Sequence, residues 1–181
     1  MRARLRSGRF LAVAALLATA GALAAGLVLA APGRDEPPGR EPAPTSERRQ
    51  APELEGAVLV PPPVRLVDLR GRPALVNFWA SWCLPCREEA PHLARFAREM
   101  DERAQLVGVD FQDAKTDALA FVRKFGWTFP NIRDPSGELA SRYGLVGLPT
   151  TYVLDSEGRI AQSLTGPQTY ESLVEAVEEV E

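Results

Sequence analysis

VNFWASWCLPCREEAP, residues 76–91, holds both cysteines of this chain of 181 residues, Cys83 and Cys86. An apolar run precedes the pair, and a segment with helical spacing of apolar residues follows it. The two residues between the cysteines, Leu84 and Pro85, carry no charge. A cysteine pair with this spacing, between a strand and a helix, is typical of a redox-active dithiol. The stretch therefore predicts an α/β domain with a reactive pair at the start of a helix.

Other interpretations of the cysteine pair are weaker. A structural zinc site takes about four sulfur or nitrogen ligands, whereas the chain offers two cysteines and one histidine, His92. A c-type haem attachment site needs a histidine directly after the second cysteine, and Arg87 stands there. The spacing also differs from the CxxxC pair of copper carriers. An inert structural bridge would stabilise the fold only weakly, because it closes so small a loop. We therefore expect no metal ion and no cofactor.

The order of predicted elements indicates a mixed β-sheet with helices on both of its faces. The period-2 and short apolar patterns predict strands at residues 66–69, 74–79, 106–111, 150–154 and 159–164. The helical patterns predict helices at residues 84–100, 114–125 and 168–180, and a short helix between Asp134 and Tyr143. Pro91 should kink the first helix, because proline removes one backbone donor.

The N-terminal region has the pattern of a membrane anchor followed by a linker. Four arginines precede an uncharged apolar run at residues 10–31, and about 20 apolar residues suffice to cross a bilayer. The alternative for residues 1–31 is a cleaved signal peptide, with Ala-Leu-Ala at residues 22–24 as its cleavage site. Residues 32–52, rich in Pro, Gly, Arg and Glu, predict a linker, which leaves residues 53–181 for the domain. Because the arginines stay in the cytoplasm, we expect a single-pass protein of the cell membrane with its domain outside the cytoplasm.

Composition and charge exclude two other classes of protein. A hydrophobic fraction of 45% is ample for a core, so disorder throughout the chain is excluded. The net charge is −3, and no basic patch with interleaved aromatic residues is present. We therefore expect no nucleic-acid partner.

Two motifs, FWASWCLPCREEAP and YGLVGLPTTYVLDSEGRI, resemble those of the TlpA/ResA/CcmG branch of the thioredoxin superfamily. The segment VGVDFQDAKTDALAFVRKFG between them is also similar, so the resemblance spans residues 53–181. That branch contains membrane-tethered, exported thiol-disulfide oxidoreductases, several of which serve cytochrome c maturation. The resemblance implies a thioredoxin-like fold and exported cysteine-containing proteins, such as apocytochrome c, as substrates. It also implies a membrane thiol-disulfide carrier as the electron donor.

Position and resemblance together predict the roles of the site residues. Cys83 falls where unpaired backbone N–H groups favour a thiolate, so it should attack the substrate disulfide. Cys86, one turn further into the helix, should resolve the mixed disulfide. The resemblance makes Pro149 a cis-proline that faces the cysteines, and it makes the backbone of Leu148 a partner of the substrate. We expect the substrate-facing surface to include Trp82, Leu84 and Pro85, and we expect Trp79 to pack in the core.

Glu89 lies on the core-facing stripe of the predicted helix, three residues after Cys86, whereas Glu88 should face solvent. A buried carboxyl group beside thiols has a raised pKa and can shuttle protons, which is the role that the ResA-like group gives to the matching glutamate. The alternative is that Glu89 leans outward at the edge of the stripe. Asn77 stands where cytosolic thioredoxins carry an aspartate, and it cannot transfer a proton. It either leaves proton transfer to Glu89 or is simply a hydrogen-bonded polar residue of the core.

The sequence favours a reductant over an oxidant. A helix terminus stabilises a thiolate by about 2 kcal/mol at most, which is about 1.5 pKa units. Leu84 and Pro85 add no positive charge, whereas a strong oxidant stabilises its reduced form much further. The favoured function is therefore a protein-disulfide reductase. The alternatives are a dithiol oxidase or isomerase and a non-catalytic, redox-gated binding module.

Overall fold

The computed structural model describes residues 42–181, which contain a seven-stranded sheet and four α-helices. The strands are β1 Arg49–Gln50, β2 Ala57–Val60, β3 Ala74–Trp79, β4 Gln105–Phe111, β5 Asn131–Asp134, β6 Thr150–Leu154 and β7 Arg159–Thr165. The helices are α1 Leu84–Glu99, α2 Lys115–Phe125, α3 Glu138–Tyr143 and α4 Tyr170–Glu178. The predicted anchor and the first part of the predicted linker lie outside the described residues. Within residues 42–181, no helix has the length and apolar character that crossing a membrane requires.

The strands lie side by side in the order β1-β7-β6-β3-β4-β5-β2. Strands β3, β4 and β5 run parallel, and the other neighbours are antiparallel. The predicted mixed sheet is therefore confirmed. The register places Asn77 of β3 between Gly108 of β4 and Thr151 of β6, which brings residues from three distant segments to the middle of the sheet.

Successive side chains of β3 point to opposite faces of the sheet, as the pleat requires. Leu75 and Trp79 pack in a core with α1, α2 and α4. Val76 and Phe78 pack on the other face with α3 and with the segment that precedes β3. Helices thus cover both faces, as predicted, and the core position expected for Trp79 is confirmed. The helix α1 contains Pro91 and continues to Glu99; the kink expected there stays a prediction.

The strand predicted at residues 66–69 is wrong, because this segment forms a 3₁₀ turn, Leu66–Leu69. Asp68 caps the turn, since its carboxylate accepts from the backbone N–H and the guanidinium of Arg65. Leu66 and Leu69 are the buried residues of the segment. Their separation of three residues suits a 3₁₀ turn, and a run this short does not distinguish the two structures by its apolar pattern.

The sequence predicts neither of the paired strands β2 and β5 at the edge of the sheet. Polar residues occupy three of the four positions of β5, so no strand-like apolar pattern is visible there. One of these residues, Asp134, accepts hydrogen bonds from the backbone N–H groups of Leu139 and Ala140. The short helix expected between Asp134 and Tyr143 is present, but it begins only at Glu138.

Candidate active site

Cys83 and Cys86 form a disulfide at the N-terminus of α1, with an S–S distance of 2.12 Å. Cys83 is the residue that caps the helix, and its Sγ accepts a hydrogen bond from the backbone N–H of Cys86 at 3.2 Å. Cys83 is 5% exposed and Cys86 is 1% exposed. The predicted positions of both cysteines are therefore confirmed. The more accessible sulfur is also the one that the helix terminus stabilises as a thiolate.

A groove of about 420 Å³ lies beside Cys83. The predicted substrate-facing residues Trp82, Leu84, Pro85 and Leu148 all line it. Pro149 follows Leu148 through a cis peptide bond, as predicted, and is itself buried directly before β6. The structure thus brings the cysteine loop and the loop before β6 together.

The groove has an apolar lining that the sequence predicts only in part. Val146 and Phe111 also line it, from the loop before β6 and from the end of β4. Leu84 is 68% exposed and Val146 is 85% exposed. Exposed apolar side chains at one site are typical of a surface that binds another polypeptide. Val146 and Phe111 are far from Cys83 in the sequence, and only the folding of the sheet brings them to the same groove. No local sequence pattern therefore predicts their place in the site.

Glu89 is buried on the sheet side of α1, and 1% of it is exposed. The amide Nδ2 of Asn77 donates to its two carboxyl oxygens at 3.3 and 3.4 Å, and the hydroxyl of Thr151 donates to Oε1 at 3.4 Å. Burial raises the pKa of Glu89 to about 8, although hydrogen bonds from Asn77, the backbone of Gln168 and Thr151 act in the opposite direction. The predicted burial of Glu89 is confirmed, and Glu88 is exposed as expected. The alternative in which Glu89 leans outward is wrong.

Asn77 is a buried polar residue that orients Glu89. Its Nδ2 also donates to Oγ1 of Thr151 at 3.0 Å. Both alternatives for Asn77 therefore apply. It is a hydrogen-bonded polar residue of the core, and because an amide does not ionise it leaves Glu89 as the ionisable group beside it. The sequence does not point to Thr151, which is identified only by the register between β3 and β6.

The described residues hold no group of three or more histidine, cysteine, aspartate or glutamate side chains that could bind a metal ion. The site combines a dithiol with a buried carboxyl group. Such a site can exchange disulfides with a thiol partner and can hold a proton near the sulfurs.

Comparisons with known proteins agree with this chemistry. Residues 48–163 match the AhpC/TSA family. The chain is 29% identical over 133 residues to the thiol-disulfide oxidoreductase ResA of Bacillus thuringiensis, covering 73% of this chain and 77% of the relative. It is 34% identical over 126 residues to the thioredoxin-like protein YneN of Bacillus subtilis, covering 68% and 74% of the two chains.

A solved structure also resembles the fold closely. The crystal structure of a DsbF homologue from Corynebacterium diphtheriae superposes with a TM-score of 0.70 at 30% sequence identity, over 79% of this chain and 95% of that one. The likeness confirms a thioredoxin-like arrangement of the sheet and helices.

Proposed function

The chain belongs to the AhpC/TSA family and is a thiol-disulfide oxidoreductase of the thioredoxin superfamily; we propose that it works as a protein-disulfide reductase outside the cytoplasm. The observation that carries the proposal is the position of Cys83, which caps a helix, opens into an apolar groove and lies one turn before Cys86. Exposed apolar side chains around a reactive sulfur suit a polypeptide substrate.

The reaction proceeds through two exchanges. The Cys83 thiolate attacks one sulfur of the substrate disulfide, so a mixed disulfide forms and the first substrate sulfur leaves as a thiolate. The Cys86 thiol then loses its proton and attacks Sγ of Cys83. This step forms the Cys83–Cys86 bond, breaks the mixed disulfide and releases the second substrate thiolate. The substrate gains two electrons, and the dithiol loses them.

Glu89 is the proposed proton acceptor for Cys86. It lies one helical turn after Cys86 on the same helix, and residues at this spacing are neighbours on the helix surface. Its pKa of about 8 is close to the ordinary thiol pKa of about 8.5. Similar pKa values on donor and acceptor allow a proton to move in either direction at little cost.

The proposed direction of electron flow rests on the small number of groups that stabilise the Cys83 thiolate. One backbone N–H, that of Cys86, donates to Sγ, and the helix terminus adds at most about 2 kcal/mol. The guanidinium of Arg87, which follows the pair, is engaged with the carbonyl oxygen of Ser81. A dithiol without further stabilisation of its reduced form gives up electrons readily, which supports a reductant rather than an oxidase or isomerase.

The proposed substrates are exported proteins with exposed disulfides, apocytochrome c among them, and the proposed electron donor is a membrane thiol-disulfide carrier. Both rest on the resemblance to the TlpA/ResA/CcmG branch. The test in the cell is deletion of the gene, followed by measurement of holocytochrome c and its rescue by a dithiol added outside the cell. Normal holocytochrome c in the deletion strain would exclude this substrate.

Insulin reduction with a dithiol donor tests the activity. We expect turnover by the full-length protein and none by Cys83→Ser. We expect Cys86→Ser to accumulate a mixed disulfide with its substrate, because the resolving thiol is missing. Binding of the polypeptide without turnover by the wild-type protein would favour a redox-gated binding module.

A further inference from the structure

The turn that follows β4 holds the loop that leads into Cys83. The Asp113 carboxylate accepts the backbone N–H of Ser81 at 2.6 Å and the hydroxyl of Ser81 at 2.9 Å. From the other side, the Nε and Nη2 atoms of Arg87 donate to the carbonyl oxygen of Ser81 at 3.1 and 2.7 Å. Every polar group of Ser81, two residues before Cys83, is therefore held.

The same turn holds Trp82. The indole N–H of Trp82 donates to the carbonyl oxygen of Gln112 at 3.2 Å. Gln112 has a φ of 45°, a left-handed conformation that costs free energy for a residue other than glycine. Such a conformation persists only where the surroundings determine it strongly. Here the Gln112 N–H donates to the carbonyl oxygen of Asp134 at 3.0 Å, and Arg133 donates to the carbonyl oxygen of Asp113 at 2.7 Å.

The buried carboxyl group of Asp110 lies next to this turn. Asp110 of β4 is 1% exposed; its Oδ2 accepts from Arg133 at 3.3 Å, whereas Oδ1 has no donor within hydrogen-bond distance. The charged groups that face Asp110 are Asp113 and Arg133. Burial, followed by the nearby Asp113, raises the pKa of Asp110 to about 7. A proton on Asp110 removes the repulsion between its carboxyl group and that of Asp113.

We propose that Asp113 is a positioning residue for the thiol chemistry, which fixes Ser81, two residues before Cys83, so that the Cys83 sulfur lies at the N-terminus of α1. The inference rests on the proposed function only in naming Cys83 as the attacking thiol. A carboxylate that accepts a backbone N–H and a hydroxyl makes charge-assisted hydrogen bonds, which are short and directional. Misplacement of a reacting atom by about 1 Å can slow a reaction about 100-fold.

Two substitutions of Asp113 separate the effect of its hydrogen bonds to Ser81 from the effect of its negative charge. Asp113→Ala removes both hydrogen bonds to Ser81, whereas Asp113→Asn removes the charge but keeps an oxygen for the backbone N–H and an amide that can donate to the hydroxyl. We expect insulin reduction by the full-length protein to fall about tenfold in Asp113→Ala and to stay within about twofold of wild type in Asp113→Asn.

The pH midpoint of the alkylation rate of Cys83 gives a second readout, which a loss of stability alone would not move. Iodoacetamide is the probe, and Cys86→Ser is the background so that a single thiol reacts. Asp113→Ala should raise the midpoint, because the sulfur loses its alignment with the helix N–H groups. Asp113→Asn should leave the midpoint unchanged or lower it, because it removes only a negative charge.

Asp101→Ala is the matched control, since Asp101 is exposed and lies beyond the far end of α1; it should change neither readout. Ser81→Ala removes only the hydroxyl bond, and we expect a loss of about threefold that adds nothing to Asp113→Ala in the double variant. If Asp113→Ala fails to fold, Ser81→Ala carries the test. Wild-type rates of insulin reduction and wild-type alkylation midpoints in both Asp113→Ala and Ser81→Ala would overturn the proposal. Absence of insulin reduction by the wild-type protein would count instead against the proposed function.

Discussion

At the residue scale, the carboxyl group of Glu89 is surrounded by neutral hydrogen-bond donors, Asn77 and Thr151. These donors lower the cost of a buried charge only in part, so burial still raises the pKa of Glu89 from 4.5 to about 8. The folded protein therefore keeps a proton that the unfolded chain releases across this range of pH. The free energy of unfolding must fall as the pH rises from about 4.5 to about 8 because of this group.

Glu89→Gln should remove that pH dependence, because an amide does not ionise. Relative to wild type, the oxidised variant should gain free energy of unfolding between pH 5 and pH 8, on the order of a few kcal/mol. Urea unfolding of both oxidised proteins at the two pH values measures the difference. Exposed Glu88→Gln is the matched control. Parallel pH dependence of wild type and Glu89→Gln would mean that Glu89 ionises normally in the fold.

Glu89→Gln should also change the pH dependence of the active-site thiols while the fold stays intact. Without a carboxylate to accept the proton of Cys86, resolution of the mixed disulfide should become slower. Stopped-flow measurement of the release of the second substrate thiol, at several pH values, tests this step. An identical pH profile in the variant would show that the Cys86 proton leaves by another route.

At the element scale, the side chains of Trp79 on β3 and Asn131 on β5 meet over Gly108 of β4. A methyl group at this position would overlap the side-chain amide of Asn131 and would approach Nε1 of Trp79 to 2.9 Å. Trp79 donates to Oδ1 of Asn131 at 2.9 Å, and both groups are buried. The hydrogen-bonded side chains of Trp79 and Asn131 occupy the space that a Cβ would need, so this position requires glycine.

Gly108→Ala should lower the free energy of unfolding by about 3 kcal/mol, because it overpacks the core and leaves buried polar groups unpaired. Chemical denaturation monitored by tryptophan fluorescence measures the change. Gly147→Ala is the matched control, since a methyl group there meets nothing within 4 Å. Equal stability of the two variants would mean that the side chains of Asn131 and Trp79 can move aside at no cost.

Most elements with a strong local pattern are predicted by the sequence; the short apolar strand β2 is an exception. Strands β3 and β4 are apolar runs and α1 has a clear apolar stripe, so their local pattern agrees with their tertiary role. The polar residues of β5 are instead used for distant contacts such as the cap from Asp134. The turn Leu66–Leu69 depends on the cap between Arg65 and Asp68. In the sequence this pair looks like any two oppositely charged residues, so it does not indicate a turn.

At the scale of the whole molecule, the cysteine motif predicts its own residues but not those that reach it from elsewhere in the chain. Cys83 caps the helix that contains Cys86 and Glu89, so spacing alone relates the three residues. Thr151, Val146 and Asp113 come from three other segments, and only the strand register and the loops of the folded sheet bring them near. The cis bond before Pro149 is predicted by resemblance, because no local feature of the sequence distinguishes it.

The N-terminal segment decides where the domain works. We expect the full-length protein to stay in the membrane fraction and to keep its four N-terminal arginines. Cell fractionation followed by mass spectrometry of the intact N-terminus tests both expectations. A mature N-terminus after residue 24 would replace the anchor with a cleaved signal peptide and leave a soluble exported enzyme.

The reduction potential of the Cys83–Cys86 pair decides between a reductant and an oxidant. Because the helix terminus and one backbone N–H are the stabilisers of the Cys83 thiolate in the described site, the potential can exceed that of a reductant by only some tens of millivolts. Equilibration of the full-length protein with dithiothreitol should give a value nearer the thioredoxin potential of about −270 mV than the strong-oxidant value of about −120 mV. A value above about −180 mV, that of protein disulfide isomerase, would contradict the account and favour an oxidase or isomerase.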